Sequence, residues 1–264
     1  MRFAGDEARS EAESLLAHVL ERPRAWLYAW PEHVPTPTQA DAFERLVQAR
    51  ASGAPVAYLL GRRAFWSLDL AVNPAVLIPR PETELLVELA LERLPRDVAC
   101  AVADLGTGSG AIALAIAHER PLARVHATDL SADALAVARA NARSLGFVNV
   151  EFAQGDWCEA LGALRFDLIV SNPPYIATED PHLARGDLRH EPLSALASGV
   201  DGLDAIRTIV ATAPAHLSTG GWLLIEHGWE QAPQVRELLV RQGWRDAASA
   251  HDLAGHERVT FARR

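Results

Sequence analysis

From residue 80 onward, short aliphatic runs alternate with longer segments in which apolar residues recur every three or four positions. The runs predict β-strands, and the longer segments predict amphipathic helices. The predicted strands cover residues 98–105, 124–129, 148–153, 166–171, 220–228, 244–253 and 256–263, and the predicted helices cover 81–94, 110–120, 132–145, 201–217 and 230–242. Strands that alternate with helices predict a parallel sheet with both faces covered.

The last two predicted strands have only a turn around Gly255 between them, so we expect an antiparallel hairpin at the end of the sheet. The predicted fold class is therefore α/β, with a seven-stranded, doubly wound, Rossmann-like sheet.

The pattern before residue 80 is different. Residues 6–20 and 38–53 each have the apolar spacing of an amphipathic helix, and a proline-rich segment connects them. Residues 56–72 contain short strand-like runs around Gly61, which predict a β-hairpin. We therefore predict a small helical domain over 1–54, a β-hairpin linker over 55–79 and the larger α/β domain over 80–264.

The composition is that of an ordinary soluble globular protein, with 49% hydrophobic and 22% charged residues. A net charge of −9 argues against strong non-specific binding to nucleic acid, because neutralising phosphates requires clustered Lys and Arg. Two cysteines, Cys100 and Cys158, fit neither a zinc pattern nor a disulfide framework. The N-terminal residues are acidic and do not resemble a signal peptide, and the apolar run 111–117 is too short to span a bilayer. We expect a cytoplasmic protein with no membrane contact.

A glycine-rich turn follows the first predicted strand of the sheet, in the sequence DLGTGSG at 104–110. Gly106, Gly108 and Gly110 have no Cβ atom, so backbone N–H groups can come close to a ligand. In an open α/β sheet this turn lies where ligands bind. The spacing also fits a dinucleotide fingerprint, and the alternative is a tight turn that only packs the helix on the strand.

Acidic and aromatic residues end the next two strands. Asp129 can accept hydrogen bonds from both ribose hydroxyls of an adenosyl or nicotinamide cofactor, or it can cap the helix that begins near Ser131. Asp156 can accept a hydrogen bond from an adenine amino group, and Trp157 can cover the ring or belong to the core. Asp104 either fixes the glycine turn or holds a cationic part of the ligand.

The sequence NPPY at 172–175 follows the fourth predicted strand of the sheet. Asn172 offers a side-chain acceptor oxygen, and the carbonyl of Pro173 is a second acceptor held by a proline-locked backbone. Two such acceptors match the two N–H groups of a planar amide or aromatic amine, and Tyr175 provides a face for a flat group. The alternative is a proline-rich loop that simply ends a strand.

Planar nitrogens are poor nucleophiles because their lone pair is delocalised. Accepting hydrogen bonds from both N–H groups should return electron density to the nitrogen and hold it in line with an electrophile. A methyl group on a sulfonium suits this arrangement, since its transfer needs no metal and no covalent intermediate.

These motifs together resemble those of class I S-adenosylmethionine-dependent methyltransferases that modify planar nitrogens. The continuous SNPPYI at 171–176, with LIPRPETE at 77–84, EHG at 226–228 and the closing HDLAGHERV, is similar to the PrmC/HemK family of release factor glutamine methyltransferases. The resemblance covers nearly the whole chain. It implies methylation of N5 of the glutamine in the GGQ motif of class I peptide chain release factors, with S-adenosylmethionine as cofactor and S-adenosylhomocysteine as product.

The resemblance, together with the reasoning above, also assigns the site residues. The expected cofactor-binding residues are Gly106, Thr107, Gly108, Ser109, Gly110, Asp129, Asp156, Trp157 and Asn172. The expected catalytic residues are Asn172, Pro173 and Tyr175, and the glutamine is expected to bind at Asn172, Pro173, Pro174 and Tyr175. The helical domain is expected to contact the release factor, and we expect a monomer.

Three other functions remain open on the sequence. An adenine-N6 methyltransferase on DNA or RNA would use the same acceptors, but no basic insertion accompanies the acidic net charge. A nicotinamide-dependent dehydrogenase would explain the glycine turn and not NPPY. A non-enzymatic module that binds a release factor or the ribosome would not need the cofactor loop.

Charged residues outside the main motifs have two interpretations. Arg80, Glu82 and Glu84 either shape the mouth of the site and contact the partner, or begin a helix at Pro81, where acidic residues are favourable. His227 either accepts a proton or orders its loop. The histidines have no metal-ligand spacing, so no metal site is expected.

Overall fold

The computed structural model describes residues 6–264. Its main sheet has seven strands in the order β5-β4-β3-β6-β7-β9-β8, which confirms the predicted α/β fold. Strands β3 to β7 are parallel, and β9 pairs antiparallel with both β7 and β8. The strands are β3 (Ala101–Leu105), β4 (Arg124–Asp129), β5 (Val150–Gln154), β6 (Phe166–Ser171), β7 (Leu217–Glu226), β8 (Arg245–His251) and β9 (Glu257–Arg263).

Helices cover both faces of this sheet, because alternate residues of its strands face opposite sides. In β6, Leu168 and Val170 pack in the core beneath helices α5 and α6, whereas Ile169 packs in the core beneath α8 and α9. Residues 111–117 of α6 are all buried, which explains why this helix reads as a continuous apolar run. The helices are α5 (Glu84–Arg93), α6 (Ala111–Glu119), α7 (Ala132–Leu145), α8 (Asp204–Thr212) and α9 (Ala232–Arg241).

Helices and one hairpin precede the sheet. They are α1 (Asp6–Val19), α2 (Arg24–Ala29), α3 (Pro37–Ala51), α4 (Val56–Leu60), β1 (Arg62–Phe65) and β2 (Leu68–Ala71). The first five residues of the predicted helical domain lie outside the described residues. The capping box of Thr36 and Gln39 starts α3, and Pro37 occupies its first turn.

The predicted β-hairpin is present in this part of the chain, but its position and the state of residues 56–60 differ from the prediction. The segment 56–60 is helical rather than a strand, since Pro55 precedes it and Gly61 ends it in the left-handed conformation with φ of 67°. The hairpin therefore turns after Phe65, which pairs with Leu68, and not at Gly61. The proline-rich connector also contains one short helix, α2, which starts directly after Pro23.

Several predicted boundaries shift in the larger unit. The first strand begins at Ala101 instead of residue 98, and the fifth begins at Leu217 instead of residue 220. The predicted helix over 201–217 consists of α8 followed by a 3₁₀ turn over Ala213–His216, in which Pro214 interrupts α-helical hydrogen bonding.

Hydrogen bonds fix the hairpin to the larger unit. The side chain of Asn141 on α7 accepts from the Ala71 N–H at 2.8 Å and donates to the Ala71 carbonyl at 3.0 Å. The carboxylate of Glu84 accepts from the Trp66 N–H in the hairpin turn at 2.8 Å. Residues 75–77, which follow the hairpin, are thereby held beside the carboxyl ends of the parallel strands. Over residues 6–264, no helix is long and apolar enough to cross a membrane.

Candidate active site

The carboxyl ends of β3, β4, β5 and β6 surround a cavity of about 350 Å³. This is the edge of an open α/β sheet at which ligands bind. Seven of the residues predicted for the site line the cavity, namely Gly106, Gly108, Asp129, Asp156, Trp157, Asn172 and Pro174. Thr107, Ser109, Gly110, Pro173 and Tyr175 do not line it.

The glycine turn is held to the end of the neighbouring strand. The N–H groups of Gly106 and Thr107 both donate to the Thr128 carbonyl, at 2.9 and 2.8 Å. The N–H of Gly108 donates to the Asp129 carboxylate at 2.9 Å. Gly106 and Gly108 both have positive φ angles, 74° and 56°, which only glycine adopts without strain. At Gly106 and Gly108 the cavity wall therefore consists of backbone atoms without side chains.

The other residues of the same loop face the protein interior. The Thr107 hydroxyl donates to Asp104 at 2.6 Å, and the Ser109 carbonyl accepts from Asn141 at 2.9 Å. Gly110, with φ of 87°, is the N-cap of α6. Thr107, Ser109 and Gly110 shape the loop from within, while Gly106 and Gly108 line the cavity.

Asp104 is fully buried at the base of the turn. Burial raises the pKa of its carboxyl to about 7, hydrogen bonds from Thr107 and the Ala113 N–H oppose the rise, and the charge of Asp129 adds to it. One oxygen, Oδ2, accepts both hydrogen bonds, whereas Oδ1 is buried without a partner among the described residues. Asp104 thus fixes the turn, as one of its two sequence interpretations states.

The Asp129 carboxylate lies between the turn and α7. Its Oδ2 accepts from Gly108, and its Oδ1 accepts from the Ser131 N–H at 2.9 Å. The hydroxyl of Ser131 caps α7 by accepting from the Ala134 N–H at 3.2 Å. Since Ser131 is the cap, the helix does not need Asp129 for this, and each carboxylate oxygen keeps a further acceptor position.

Trp157 begins a 3₁₀ turn after β5 and has a positive φ of 42°, a strained conformation for a bulky residue. A Cβ built on Gly106 would lie 3.2 Å from its ring, so the indole packs against the glycine turn. The ring also contacts the core cluster beneath α8 and α9. Trp157 therefore belongs both to the cavity wall and to the core, which the sequence presented as alternatives.

Asn172 follows β6, the neighbour of β3, as predicted. Its side-chain nitrogen donates to the Thr83 hydroxyl at 3.1 Å. The side-chain oxygen is thereby left as the group that can accept hydrogen bonds in the cavity. Asn172 is half-buried, so its amide sits at the boundary between the cavity and the protein interior.

The rest of the motif is packed more deeply. Pro173 is buried, and Tyr175 is half-buried. Burial raises the pKa of the Tyr175 phenol, and the charge of Glu226 adds to the rise. The Tyr175 carbonyl accepts from Gln231 at 2.9 Å. Thr83 binds the segment at Asn172 and Gln231 binds it at Tyr175, so both ends of NPPY are held in place.

Arg80 and Glu84 have structural partners. Arg80 forms an ion pair with Glu191, whose carboxylate also accepts from the Ile78 N–H at 3.0 Å. Glu84 accepts from the Trp66 N–H of the hairpin turn, and Glu82 is exposed. Pro81 starts a 3₁₀ turn rather than an α-helix.

His227 orders its loop, as one of the two interpretations states. It is fully buried, and its ring nitrogens contact the Gly228 carbonyl at 2.9 Å and the Thr260 hydroxyl at 2.7 Å. Burial lowers its pKa. Within residues 6–264, no cluster of His, Cys, Asp or Glu is arranged to hold a metal ion.

Sequence reasoning missed Thr83 and Glu226, which lie behind Asn172. Both stand in stretches singled out for other reasons, PRPETE and EHG. It also missed two cavity walls, residues 75–77 and the segment from Pro192 to Ala195. Residues 75–76 and the segment from Pro192 to Ala195 carry no motif, and the position of all these residues depends on how distant segments pack.

A family model described as "Methyltransferase small domain" matches residues 82–187. Solved structures of the same fold include a methyltransferase from Pyrococcus furiosus, at 17% identity and a TM-score of 0.57 over 85% of this chain and 98% of that one. Another is the Thermus thermophilus 16S rRNA N2 G1207 methyltransferase in complex with AdoMet and guanosine, at 22% identity and a TM-score of 0.56 over 77% of this chain and 49% of that one. The fold and the cavity thus define a methyltransferase of this Rossmann-like class.

A second model, "PrmC N-terminal domain", matches residues 2–61. The release factor glutamine methyltransferase of Xylella fastidiosa is 57% identical over 97% of this chain and 93% of its own length. The protein of that name from Escherichia coli is 46% identical over 98% and 94%. The chain belongs to the release factor glutamine methyltransferase family, as the sequence motifs indicated.

Proposed function

We propose that this protein transfers a methyl group from S-adenosylmethionine to N5 of the glutamine in the GGQ motif of class I peptide chain release factors. The observation that carries the proposal is the orientation of Asn172, whose amide nitrogen is bound by Thr83 so that its oxygen is left for a donor in the cavity. The near full-length similarity to proteins with the name release factor glutamine methyltransferase supports the same reaction.

The cavity fits an adenosyl cofactor in this proposal. Gly106 and Gly108 line it without side chains, and a Cβ at Gly106 would lie 3.2 Å from the Trp157 ring. Asp129 has acceptor positions for ribose hydroxyls, and Asp156 has them for the adenine amino group. Thr107, Ser109 and Gly110 shape this loop from behind. Bound there, S-adenosylmethionine supplies an activated methyl group on a sulfonium.

Asn172 and Pro173 hold the glutamine side chain in this proposal. The Asn172 Oδ1 and the Pro173 carbonyl accept the two N–H groups of the amide, while Pro174 forms the wall beside it and Tyr175 flanks its plane. The two hydrogen bonds localise the nitrogen lone pair and hold it in line with the methyl group. Such positioning can lower the barrier by several kcal/mol, up to about 7–11.

The nitrogen must lose one proton after it gains the methyl group, and water is the proposed acceptor. The side chains of the NPPY motif are not suited to this role, since the Tyr175 phenol is held neutral by burial and Asn172 has no basic nitrogen.

The helices α1 to α3 provide the proposed contact with the release factor. Tyr28 and Trp30 are 61% and 62% exposed, and the Trp30 ring stacks on Trp26 with centroids 6.4 Å apart. Exposed aromatic side chains are typical of protein–protein contacts. We propose that the enzyme acts as a cytoplasmic monomer without direct binding to nucleic acid.

The test is methylation with labelled S-adenosylmethionine in parallel reactions that contain a release factor or duplex DNA. The expected product is label on the glutamine of the GGQ motif, located by mass spectrometry of peptides. Label on adenine alone would instead support an adenine-N6 methyltransferase.

The Asn172→Ala variant tests the role of the motif. It should abolish transfer while cofactor affinity stays within about tenfold, which is about 1.4 kcal/mol. A variant that loses cofactor binding and keeps full turnover at saturation would contradict the proposed role of Asn172.

A further inference from the structure

A buried carboxylate lies directly behind Asn172, at the end of β7. Glu226 is 1% exposed, and its Oε2 atom is buried without a hydrogen-bond partner among the described residues. Leaving a buried polar atom unpaired is unfavourable, so such groups in folded proteins call for an explanation. A methyl transfer that needs no general base gives this carboxylate no direct role.

Burial raises the pKa of the Glu226 carboxyl, and the neighbouring Thr83 and Asn172 side chains oppose the rise. The resulting pKa is raised to about 7. The charged groups that face it are Arg258 on β9, which favours ionisation, and Glu82 beside Thr83, which opposes it. The Tyr175 phenol also faces this carboxylate, and it stays neutral because burial raises its pKa. Arg258 is itself bound to Asp252 at 3.1 Å.

The group to which the Thr83 hydroxyl donates determines how the Asn172 amide is oriented. A hydroxyl has one proton to donate, and when Thr83 gives it to the Glu226 carboxylate, its oxygen remains only as an acceptor. The Asn172 amide then has to present its nitrogen to Thr83, as observed at 3.1 Å. Its oxygen is consequently turned toward the cavity.

Without the carboxylate, the Thr83 hydroxyl could donate to the Asn172 oxygen instead. The amide could then rotate by half a turn and present its NH₂ group to the cavity. An amide NH₂ group donates hydrogen bonds and does not accept them. The NH₂ group of Asn172 would then face the NH₂ group of the substrate amide, and no hydrogen bond could form between them.

We propose that Thr83 and Glu226 are positioning residues that hold the Asn172 amide in the one orientation that accepts hydrogen bonds from the substrate NH₂. This inference rests on the proposed function, because it concerns how the Asn172 amide that binds the substrate is held. It makes the carboxylate a determinant of turnover although it does not touch the substrate.

If Glu226 only supported the fold, its removal would lower stability, which is the opposite of what we expect. Removing an ionised carboxyl that burial disfavours should stabilise the fold, or leave its stability unchanged. A variant that gains stability and loses turnover therefore separates positioning from structural support.

The experiment compares Thr83→Val, Thr83→Ser and Glu226→Gln in methyl transfer to a release factor, with S-adenosylmethionine affinity measured separately. Thr83→Val removes the hydroxyl at nearly constant volume, and Thr83→Ser keeps it. We expect kcat to fall by about 10- to 100-fold in Thr83→Val, which loses the hydroxyl, and in Glu226→Gln, whose NH₂ group can donate to Thr83 and free the hydroxyl to donate to Asn172. Thr83→Ser should stay within about threefold of the wild type, and cofactor affinity should stay within about twofold in all three.

Thr208→Val on the exposed surface of α8 is the matched control. Its hydroxyl donates only to a backbone carbonyl of the same helix, at 3.1 Å, and lies outside the site. It should leave kcat unchanged. Retained cofactor affinity in each variant shows that the site is folded.

The pH profile gives a second readout. Lowering the pH through about 7 protonates Glu226, so wild-type kcat should fall, and Glu226→Gln should lack this fall. Asp104 has a similarly raised pKa in the glycine turn and is unchanged in this variant, so a fall that persists in Glu226→Gln belongs to another group.

Two results would overturn the inference and leave the proposed function intact, provided that the wild type methylates the glutamine. The first is a kcat within threefold of the wild-type value in both Thr83→Val and Glu226→Gln. The second is that these variants change only the affinity for the cofactor. Absence of wild-type transfer to the glutamine would overturn the proposed function itself.

Discussion

The Trp157 ring packs against Gly106 in the glycine turn. It can do so because Gly106 has no Cβ atom. An added Cβ would be 3.2 Å from the indole, closer than a comfortable carbon–carbon contact. Because Trp157 lines the cavity, a shift of its ring changes the shape of the site.

The first prediction compares Gly106→Ala with Gly146→Ala. Both glycines are left-handed, with φ of 74° and 78°, but nothing lies within 4 Å of a Cβ added at Gly146. Each alanine should therefore cost about 1–2 kcal/mol of stability through backbone strain. Only Gly106→Ala should also weaken S-adenosylmethionine binding, by at least about tenfold. Equal cofactor affinity of the two variants in calorimetric titrations would refute the role given to this contact.

The second prediction concerns the stability contributed by Glu226. Burial raises its pKa from an ordinary value of 4.5 to about 7. A raised folded-state pKa contributes stability that is present below the unfolded pKa and is lost as pH rises through about 7, because ionisation is then penalised only in the folded state.

Glu226→Gln cannot ionise, so its stability relative to the wild type should increase with pH. We expect the difference to be about 2–3 kcal/mol more favourable at pH 8 than at pH 5, since one pKa unit corresponds to about 1.4 kcal/mol. Urea unfolding at the two pH values measures it. A difference that does not change with pH would mean that the carboxyl titrates normally.

Residue types and spacing were sufficient to predict that the glycine turn, Asp129 and Asn172 lie around one cavity. Sequence could not tell that Gly108 faces the cavity while Ser109 faces inward, because this depends on the turn made by the backbone. Nor could it identify Thr83 as a partner of Asn172, since 89 residues separate them.

Among the elements, the segment that leads into α5 and the segment that follows NPPY form one wall of the site. Glu191 joins them, because its carboxylate binds both Arg80 and the Ile78 N–H. Next to these contacts, residues 76 and 77 on one side and Pro192 on the other line the cavity. Tyr58 of α4 adds support by donating to the Val76 carbonyl at 2.6 Å.

The third prediction compares two ion pairs that differ in burial. The Glu191 side chain is 0% exposed and that of Arg80 is 30% exposed, whereas Asp201 and Arg207 are 49% and 43% exposed. Glu191→Gln leaves Arg80 without its counter-charge and should cost about 3 kcal/mol. Asp201→Asn should cost less than about 1 kcal/mol. Urea unfolding of both variants is the measurement, and similar losses would show that burial does not decide the strength of these pairs.

At this scale the sheet was predictable and the short elements were not. Aliphatic strands separated by long amphipathic helices have few alternatives to a parallel sheet. The five residues of α4 are apolar residues and one tyrosine, and they lie between a proline and a glycine, a pattern that fits a short strand equally well. Tertiary contacts such as that of Tyr58 decide in favour of the helix.

In the whole molecule, Arg50 ties the N-terminal helices to the segment that follows NPPY. Its guanidinium binds Glu11 of α1 at 2.7 Å and Asp187 at 2.7 Å. Arg189 adds a second contact by donating to the Ser52 carbonyl at 2.8 Å. The partners of these bonds are up to 137 residues apart, so no local pattern could reveal them.

The fourth prediction is that Arg50→Met impairs recognition of the release factor more than chemistry. With the proposed docking helices no longer held against the segment beside the site, KM for the release factor should rise by about tenfold, as expected for lost charge-assisted hydrogen bonds. S-adenosylmethionine affinity should stay within about twofold. Arg241→Met, which removes an exposed pair with Glu237 on α9, is the control and should change neither. A lower kcat with unchanged KM would argue against a docking role.

The central claim is that Asn172 and Pro173 hold the nitrogen that receives the methyl group. The most direct test is a crystal structure of the enzyme with S-adenosylhomocysteine and a glutamine peptide from a release factor. We expect the Asn172 Oδ1 and the Pro173 carbonyl within about 3.2 Å of the glutamine nitrogen, which in turn points at the sulfur. A glutamine bound away from residue 172, or an Asn172 amide turned with its nitrogen toward the substrate, would contradict the account.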